Sequence, residues 1–201
     1  MFRARNRLLA AAIACAEYGI AVRPAPALLR APARLDAFGR WICGCGDLLC
    51  AEPGEHPAGP AWSTDVNEVA ATWGLAAAPN LLISSGNQVA LWRLPRVTGA
   101  YGMRLFEQER PGPWPPLMKL PDGDWIVATA PAVDKLELAT GVVYTEPGVA
   151  VLAPPSRRPT GRTRWLQSPA FPQTPLPSAE SVLALVARAE QERFELLTGV
   201  R

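Results

Sequence analysis

The chain has little of what the common catalytic motifs require. Its 201 residues include a single histidine, His56. Neither a glycine-rich phosphate loop of the Walker type nor a G-x-S-x-G nucleophile motif occurs in it. Serine-hydrolase chemistry that depends on a histidine base is therefore excluded, unless His56 is free to supply that base. The net charge of only +2 identifies no polyanionic partner by itself.

Charged residues are also scarce, at 19 %, whereas hydrophobic residues make up 49 % of the chain. This balance argues against a disordered protein. Twenty-two prolines and 16 glycines predict many turns and long connections instead of a helix bundle. Of the four cysteines, three cluster within eight positions, which suits a reducing compartment and a metal better than a disulfide scaffold. We therefore expect a cytoplasmic protein.

The first 16 residues allow two interpretations. Three arginines followed by an apolar run at 8–16 resemble a secretory signal peptide. The same run places Leu9, Ala12, Ile13 and Ala16 on one face of an amphipathic helix, and we favour this helix. The run is too short to span a bilayer, so no membrane association is expected.

The remaining pattern predicts an α+β domain with a mostly antiparallel sheet. Residues 1–177 form the predicted domain, and residues 178–201 form a C-terminal helix packed on it or appended to it. The predicted elements are a helix capped by Ser63 or Thr64 and ending at 74, a hairpin at 81–94, a loop at 97–102, a short helix at 103–108, strands at 125–129 and 149–152, an irregular basic segment at 156–177, and a helix from Ser178 to about Leu197.

The segment 42–62 concentrates the metal-ligating side chains Cys43, Cys45, Cys50 and His56. Three thiolates and one imidazole are a donor set typical of a tetrahedral structural zinc site. Such a site has no open position, so its zinc would stabilise the fold without taking part in catalysis. Two alternatives stay open: free thiols beside an exposed histidine, or a disulfide, although Cys43 and Cys45 are too close for an easy mutual bridge.

The segment 153–165 carries arginines and no acid. The guanidinium fork suits phosphate, nearby hydroxyls add donors, and Trp165 offers a face for base stacking. The predicted phosphate-binding or nucleic-acid-binding residues are Arg157, Arg158, Arg162, Arg164 and Trp165, with hydroxyls from Ser156, Thr160 and Thr163. A solvated arginine-rich loop is the alternative.

Several collinear segments resemble the primase–polymerase domain at the N-terminus of bifunctional DNA primase/polymerases, in the archaeo-eukaryotic primase superfamily. The similar segments are the opening helix and strand at 10–24, the C-x-C-x4-C stretch with P-G-E-H-P at 43–57, the W…P-x-N…G stretch at 73–86, and the A-P-P-S block at 151–165. The resemblance implies an RRM-like sheet, a zinc-bearing element, and DNA and nucleotide as ligands. Active members use two divalent metals, which need carboxylate ligands.

The sequence departs from the family where that chemistry lies. The strand expected to carry a D-x-D pair reads V-A-L-W-R-L-P at 89–95, where Arg93 has the wrong sign for a metal site. The G-G-x-H histidine is missing near 121–125, and Arg158 replaces the histidine of the A-P-P-S segment. Neither Glu137 nor Glu146 fits the position of the third acid. We therefore assign no catalytic residue and expect no catalytic Mg²⁺ or Mn²⁺.

Three hypotheses follow from these observations. The first is a degenerate primase–polymerase domain, a pseudoenzyme that binds nucleic acid, nucleotide or a replication protein without nucleotidyl transfer. The second is an active primase or polymerase that uses rearranged acids such as Asp122 and Asp124, although these flank Gly123 in a pattern typical of a turn. The third is a protein-interaction module with no nucleic-acid role.

Overall fold

The structure is a computed structural model that describes residues 2–31, 41–75, 79–109, 113–132, 136, 138–169 and 175–199. The helices are α1 (Phe2–Glu17), α2 (Val66–Leu75), α3 (Arg96–Glu109) and α4 (Ala179–Thr198). The strands are β1 (Ala21–Ala25), β2 (Leu28–Arg30), β3 (Trp41–Cys43), β4 (Asn80–Ser84), β5 (Ala90–Leu94), β6 (Leu117–Lys119), β7 (Trp125–Thr129), β8 (Val143–Thr145), β9 (Val151–Ala153), β10 (Arg157–Arg158), β11 (Gly161–Arg162) and β12 (Arg164–Gln167).

The strands form two larger sheets and two small hairpins. The larger sheets have the orders β12-β6-β7-β5-β8 and β1-β4-β9, and the hairpins are β2-β3 and β10-β11. All of these pairings are antiparallel. The predicted α+β class with antiparallel sheets is therefore confirmed.

The five-stranded sheet separates two apolar clusters. Because successive side chains of a strand point to opposite faces, Leu91 of β5 enters the cluster with α1 and α2, whereas its neighbour Trp92 enters the cluster with α3 and α4. Val182 and Val186 of α4 are completely buried in this second cluster. Helix α4 thus packs against the five-stranded sheet through this second cluster.

The predicted hairpin at 81–94 is wrong. Strand β4 pairs with β1 and β9, whereas β5 pairs with β7 and β8, so the two strands belong to different sheets. Both strands are buried almost throughout. A strand of this kind lies inside a sheet, with other strands along both of its edges and other elements packed on both of its faces. The turn after β4 therefore carries the chain from one sheet to the other.

The predicted loop at 97–102 is also wrong, because α3 begins at Arg96. Gly99 and Gly102 lie inside this helix, where they serve close packing. A Cβ on Gly99 would lie 3.2 Å from the Trp125 ring, and one on Gly102 would lie 3.0 Å from Val186. These glycines therefore let α3 approach the sheet and α4 closely.

The helix starts were predicted with mixed success. Ser178 caps α4 as expected, since its hydroxyl accepts a hydrogen bond from the Ser181 N–H. Helix α2 is capped by Asp65 and not by Ser63 or Thr64, because the Asp65 carboxylate accepts hydrogen bonds from the N–H groups of Asn67 and Glu68.

The N-terminal run, predicted as an amphipathic helix, and the segment predicted as irregular both have defined forms. The N-terminal run forms α1, whose buried residues Leu8, Ala12 and Ala16 pack into the apolar cluster that contains Leu91. The segment 156–169 contains three short strands, and residues 170–174 and Glu137 lie outside the described residues. Among the described residues, no helix is both long and apolar enough to cross a membrane.

Candidate functional site

The four predicted metal ligands converge in space. One donor atom from each of Cys43, Cys45, Cys50 and His56 lies within 4.8 Å of every other. Sγ of Cys43 lies 3.4 Å from Nε2 of His56. All four cysteines of the chain are free, so the disulfide alternative is not realised. Strand β3 positions Cys43, and glycine-containing turns bring the other three donors back to it.

The distances suit a small tetrahedral ion. Zinc at about 2.3 Å from sulfur and about 2.0 Å from nitrogen places neighbouring ligand atoms roughly 3.5–3.8 Å apart. The Cys43–His56 separation already lies close to that range. The four residues can therefore hold a metal ion without a large rearrangement.

The surroundings of these donors prepare them for a cation. Burial would raise the pKa of the Cys43 thiol, but the N–H groups of Cys45 and Gly54 and the thiols of Cys45 and Cys50 outweigh it and lower that pKa. Nδ1 of His56 lies 3.3 Å from the Pro57 carbonyl oxygen, which favours a proton on Nδ1 and leaves Nε2 as the ligand. The Cys43 thiolate is thus stabilised by these neighbouring N–H and thiol groups.

Crowding of the thiols affects how they release protons when a cation binds. Partial desolvation and then the neighbouring thiols Cys43 and Cys45 raise the pKa of Cys50 to about 11. Three thiolates held this close repel one another unless a metal ion neutralises them, and metal binding releases their protons. Without a metal ion the Cys50 thiol keeps its proton, and a bound metal ion would displace it.

Asn80, at the start of β4, attaches this segment to the sheet. Its side chain is only 6 % exposed, and its Nδ2 donates hydrogen bonds of 2.9 Å to the carbonyl oxygens of Gly54 and Arg157. Its Oδ1 accepts a hydrogen bond from the Arg157 N–H at 3.3 Å. A Cβ on Gly54 would lie 2.7 Å from Asn80 Nδ2, and Gly54 has a positive φ of 78°, so only glycine fits there. Sequence reasoning missed Asn80, although a polar residue opening an apolar strand was a signal.

Beside the candidate metal ligands lies a second group of converging charges, which we call the carboxylate–arginine cluster: Glu55, Arg93, Asp122, Asp124 and Arg158. Arg93 donates to Asp122 and to Asp124, at 2.9 Å in each case. Arg158 lies 2.9 Å from Glu55 and 3.7 Å from Asp122. Burial raises the pKa of Glu55, and the guanidinium of Arg158 opposes this effect. All three carboxylates are thus paired with arginines.

The basic segment 157–165 is divided by the fold. Arg157 and Arg162 face each other across the β10–β11 hairpin, and the guanidinium of Arg157 stacks on Trp41 at 4.7 Å. Arg162 and Arg164 are exposed, and within the described part of the chain they form no ion pair. We call Arg157, Arg162 and Arg164 the basic surface. Arg158 instead belongs to the carboxylate–arginine cluster.

The other predicted phosphate ligands have structural contacts. The Ser156 hydroxyl accepts a hydrogen bond from the Leu81 N–H at 2.7 Å, and the Thr163 hydroxyl donates to the Ser156 carbonyl at 3.2 Å. Trp165 is half-buried and packs against the apolar cluster of α1, α2 and Leu91. Thr160 remains exposed at the hairpin turn. The arginines of the basic surface are therefore the best candidates for contact with phosphate.

Comparison with known proteins adds no assignment. No family model, no curated protein and no solved structure matches this chain. The likeness to primase–polymerase domains consequently rests on the sequence motifs alone.

Proposed function

We propose that the chain is a degenerate primase–polymerase domain that binds nucleic acid or nucleotide without nucleotidyl transfer. In this proposal the five-stranded sheet, backed by α3 and α4, corresponds to the RRM-like sheet of the family. The Cys–His cluster holds a structural zinc ion, because its three thiolates and imidazole are ligands that zinc prefers. Its role is to hold the segment 42–62 in its folded form, while Asn80 attaches that segment to β4.

The observation that carries the proposal is the position of Arg93. It lies on β5, the strand on which the resemblance places the D-x-D pair, and its guanidinium contacts both Asp122 and Asp124. Two-metal nucleotidyl transfer needs carboxylates that are free to bridge divalent ions and triphosphate oxygens. An arginine between the two nearest acids supplies the positive charge that a metal ion would otherwise bring.

Nucleic-acid binding is assigned to the basic surface. Arg162 and Arg164 are exposed and free of acidic partners among the described residues, and Arg157 is oriented by Trp41. Exposed guanidinium groups suit the phosphates of a nucleic-acid strand, because their donor forks match phosphate oxygens. The binding is then governed by charge and depends strongly on salt.

Fluorescence anisotropy with a labelled single-stranded oligonucleotide tests the binding. We expect the logarithm of the association constant to fall linearly with the logarithm of salt concentration. If Arg162 and Arg164 each neutralise one phosphate, replacing either by alanine should make that slope shallower by about 0.7. Arg7→Ala, at an exposed position of α1, is the matched control and should leave the slope unchanged.

Two outcomes would contradict the proposal. Absence of binding to single- or double-stranded DNA at low salt would favour a protein-interaction module. Primer extension that requires Mg²⁺ or Mn²⁺ and is abolished by Asp122→Ala or Asp124→Ala would establish an active polymerase.

A further inference from the structure

A groove of about 320 Å³ lies between α3 and the β12 edge of the five-stranded sheet. Four residues from one side of α3 form its first wall: Ala100, Met103, Arg104 and Glu107. Leu166 of β12 lies in the opposite wall. We call this space the α3 groove. Its volume is at the lower end of the range of about 300–1,000 Å³ usual for small-molecule sites, which suits a small planar group.

Trp114 gives the α3 groove an accessible aromatic surface. It is 37 % exposed, and it lines the groove together with Leu166, which is also exposed. The ring of Trp114 contacts Phe106, with 5.1 Å between the ring centroids. Because Phe106 is completely buried in the cluster of α3 and α4, this contact holds the Trp114 ring in place. The groove therefore presents a positioned indole, whereas the predicted stacking residue Trp165 packs against the core.

Arg164 of the basic surface lies on the same face of the sheet as the α3 groove. It is opposite Lys119 of β6, and Lys119 is in turn opposite Trp125 of β7. Residues directly opposite one another in antiparallel strands share a face of the sheet. Trp125 packs with the cluster of α3 and α4 and lines the groove. Arg164 and Lys119 thus project to the α3 side, next to the groove.

Positive charge is in excess around the α3 groove. Like charges directly opposite in a sheet are unfavourable, yet Lys119 faces Arg164. Neither side chain forms an ion pair with any described residue. Arg104 adds a cation from α3, and Glu107 is the one acid among the described residues of the lining. This balance favours an anionic ligand.

An aromatic surface beside excess positive charge limits the class of ligand. A phosphate ion leaves Trp114 and Leu166 uncovered, and an apolar ligand leaves the cations without a partner. A nucleotide of a strand carries a planar base and a phosphate on one sugar, so it satisfies both. The base must be unpaired, because the faces of duplex bases are already covered by their neighbours.

We propose that the α3 groove takes an unpaired base of a single-stranded nucleic acid. The base stacks on Trp114, and the adjacent phosphates are contacted by Arg164 and Lys119. This inference rests on the proposed function, in which the same strand contacts the basic surface. It adds a single strand as the preferred substrate and Trp114 and Lys119 as further contacts. Because stacking uses the face of the base, the identity of the base matters little.

Fluorescence anisotropy with three labelled ligands of equal length tests the proposal: oligothymidine, an abasic strand with the same phosphates, and a duplex. We expect the wild type to bind oligothymidine about tenfold more tightly than the abasic strand, the size of one stacked base. Trp114→Ala should remove this difference by weakening oligothymidine binding alone. Lys119→Ala should weaken oligothymidine and the abasic strand equally, because it removes a phosphate contact.

Two further variants separate stacking from a general effect on the fold. Trp114→Phe keeps an aromatic ring and should keep most of the preference for oligothymidine. Tyr101→Ala is the matched control, because Tyr101 is an aromatic residue of α3 with 39 % exposure that does not line the groove. It should leave the binding of all three ligands unchanged.

A measurement on the wild-type protein keeps the test available if Trp114→Ala fails to fold. Oligothymidine that carries a 5-iodouracil base forms a crosslink on irradiation with an aromatic ring in contact with that base. We expect mass spectrometry to identify Trp114 as the crosslinked residue.

The outcomes distinguish this inference from the proposed function. Equal binding of oligothymidine and the abasic strand, or a crosslink only to residues outside the groove, would overturn the inference and leave salt-dependent binding to the basic surface intact. If no oligonucleotide binds at low salt, the proposed function fails and the inference with it. Binding of a short acidic peptide in that case would assign the groove to a protein partner.

Discussion

Two neighbouring regions bring ligand-type atoms together, and they differ in how they balance charge. The Cys–His cluster contains three thiols and an imidazole, with no lysine or arginine among its members. The carboxylate–arginine cluster contains three carboxylates and two guanidinium groups. The thiols of the Cys–His cluster therefore need an external cation to ionise fully, whereas the carboxylate–arginine cluster contains its own cations.

The comparison separates proximity from metal binding. Converging acidic or thiol groups are only candidates for a metal site, because ionised groups of like charge repel unless a cation lies between them. Arg93 fills that place between Asp122 and Asp124. Among the described residues, no cationic side chain fills it between Cys43, Cys45 and Cys50. Glu55, adjacent to His56 in sequence, joins the two regions through its ion pair with Arg158.

The largest expected effect comes from removing one metal ligand. Cys43 is 4 % exposed and accepts a hydrogen bond from the Gly54 N–H at 3.4 Å, so Cys43→Ser disturbs both the donor set and its packing. We expect loss of stoichiometric metal and a fall of about 4 kcal/mol in the free energy of unfolding, the size typical of losing a structural metal. Elemental analysis and denaturant titration measure the two quantities.

Cys15 provides the control for the metal-ligand variant. It is completely buried in the core, and burial raises the pKa of its thiol to about 12. Cys15→Ala should keep the full metal content and leave the remaining thiols protected until a chelator is added. Retention of stoichiometric metal by Cys43→Ser would contradict the claim that the Cys–His cluster needs an external cation. Unchanged stability of the wild-type protein after chelation would contradict it as well.

An intermediate effect is expected from Asn80→Ala, which removes the link between the metal segment and the sheet. The substitution leaves the carbonyls of Gly54 and Arg157 and the Arg157 N–H without their partner. Buried unsatisfied groups cost about 1–3 kcal/mol each, so we expect the free energy of unfolding to fall by about 3 kcal/mol, moderated by relaxation. The metal should also pass faster to a competing chelator, because the segment 42–62 is less restrained.

Ser84→Ala is the matched control at the other end of β4. Ser84 is 1 % exposed and accepts a hydrogen bond from the Gly148 N–H at 2.7 Å, but it does not contact the metal segment. Its replacement should reduce stability without changing the rate of metal release. Equal release rates for Asn80→Ala and Ser84→Ala would show that Asn80 contributes only to general stability.

The α+β class and the convergence of the four candidate metal ligands were predictable because both rest on local patterns. Four donors within 14 positions must lie near one another, and alternating or periodic apolar residues show which faces are buried. The connectivity of β4 and β5 was not predictable in this way. Two apolar strands joined by a short turn look like a hairpin, and only the competing partners β1, β7, β8 and β9 decide otherwise.

The contacts of single residues in the basic segment were likewise not predictable from the local sequence. Arg158 and Arg162 are equivalent in the sequence pattern, but the hairpin directs Arg158 towards Glu55 and leaves Arg162 exposed. Likewise, Asp122 and Asp124 were predicted to form a turn, and they do lie between β6 and β7. Their contact with Arg93 depends on the register of β5 against β7, which places Arg93 opposite Ile126 and next to that turn. Long-range register is not encoded in any short window of sequence.

The smallest expected effect tests whether Arg93 takes the place of a cation. Arg93, Asp122 and Asp124 remain partly exposed, so Arg93→Met should lower the free energy of unfolding by only about 1 kcal/mol. Its diagnostic result is a new response to Mg²⁺: added Mg²⁺ should raise the melting temperature of the variant but not of the wild type, because the freed carboxylates are suitable ligands. Arg93→Lys keeps the charge and should show no such response. If the wild-type protein responds to Mg²⁺ as strongly as Arg93→Met does, the carboxylates already accept a metal ion, and the active-polymerase hypothesis regains its basis.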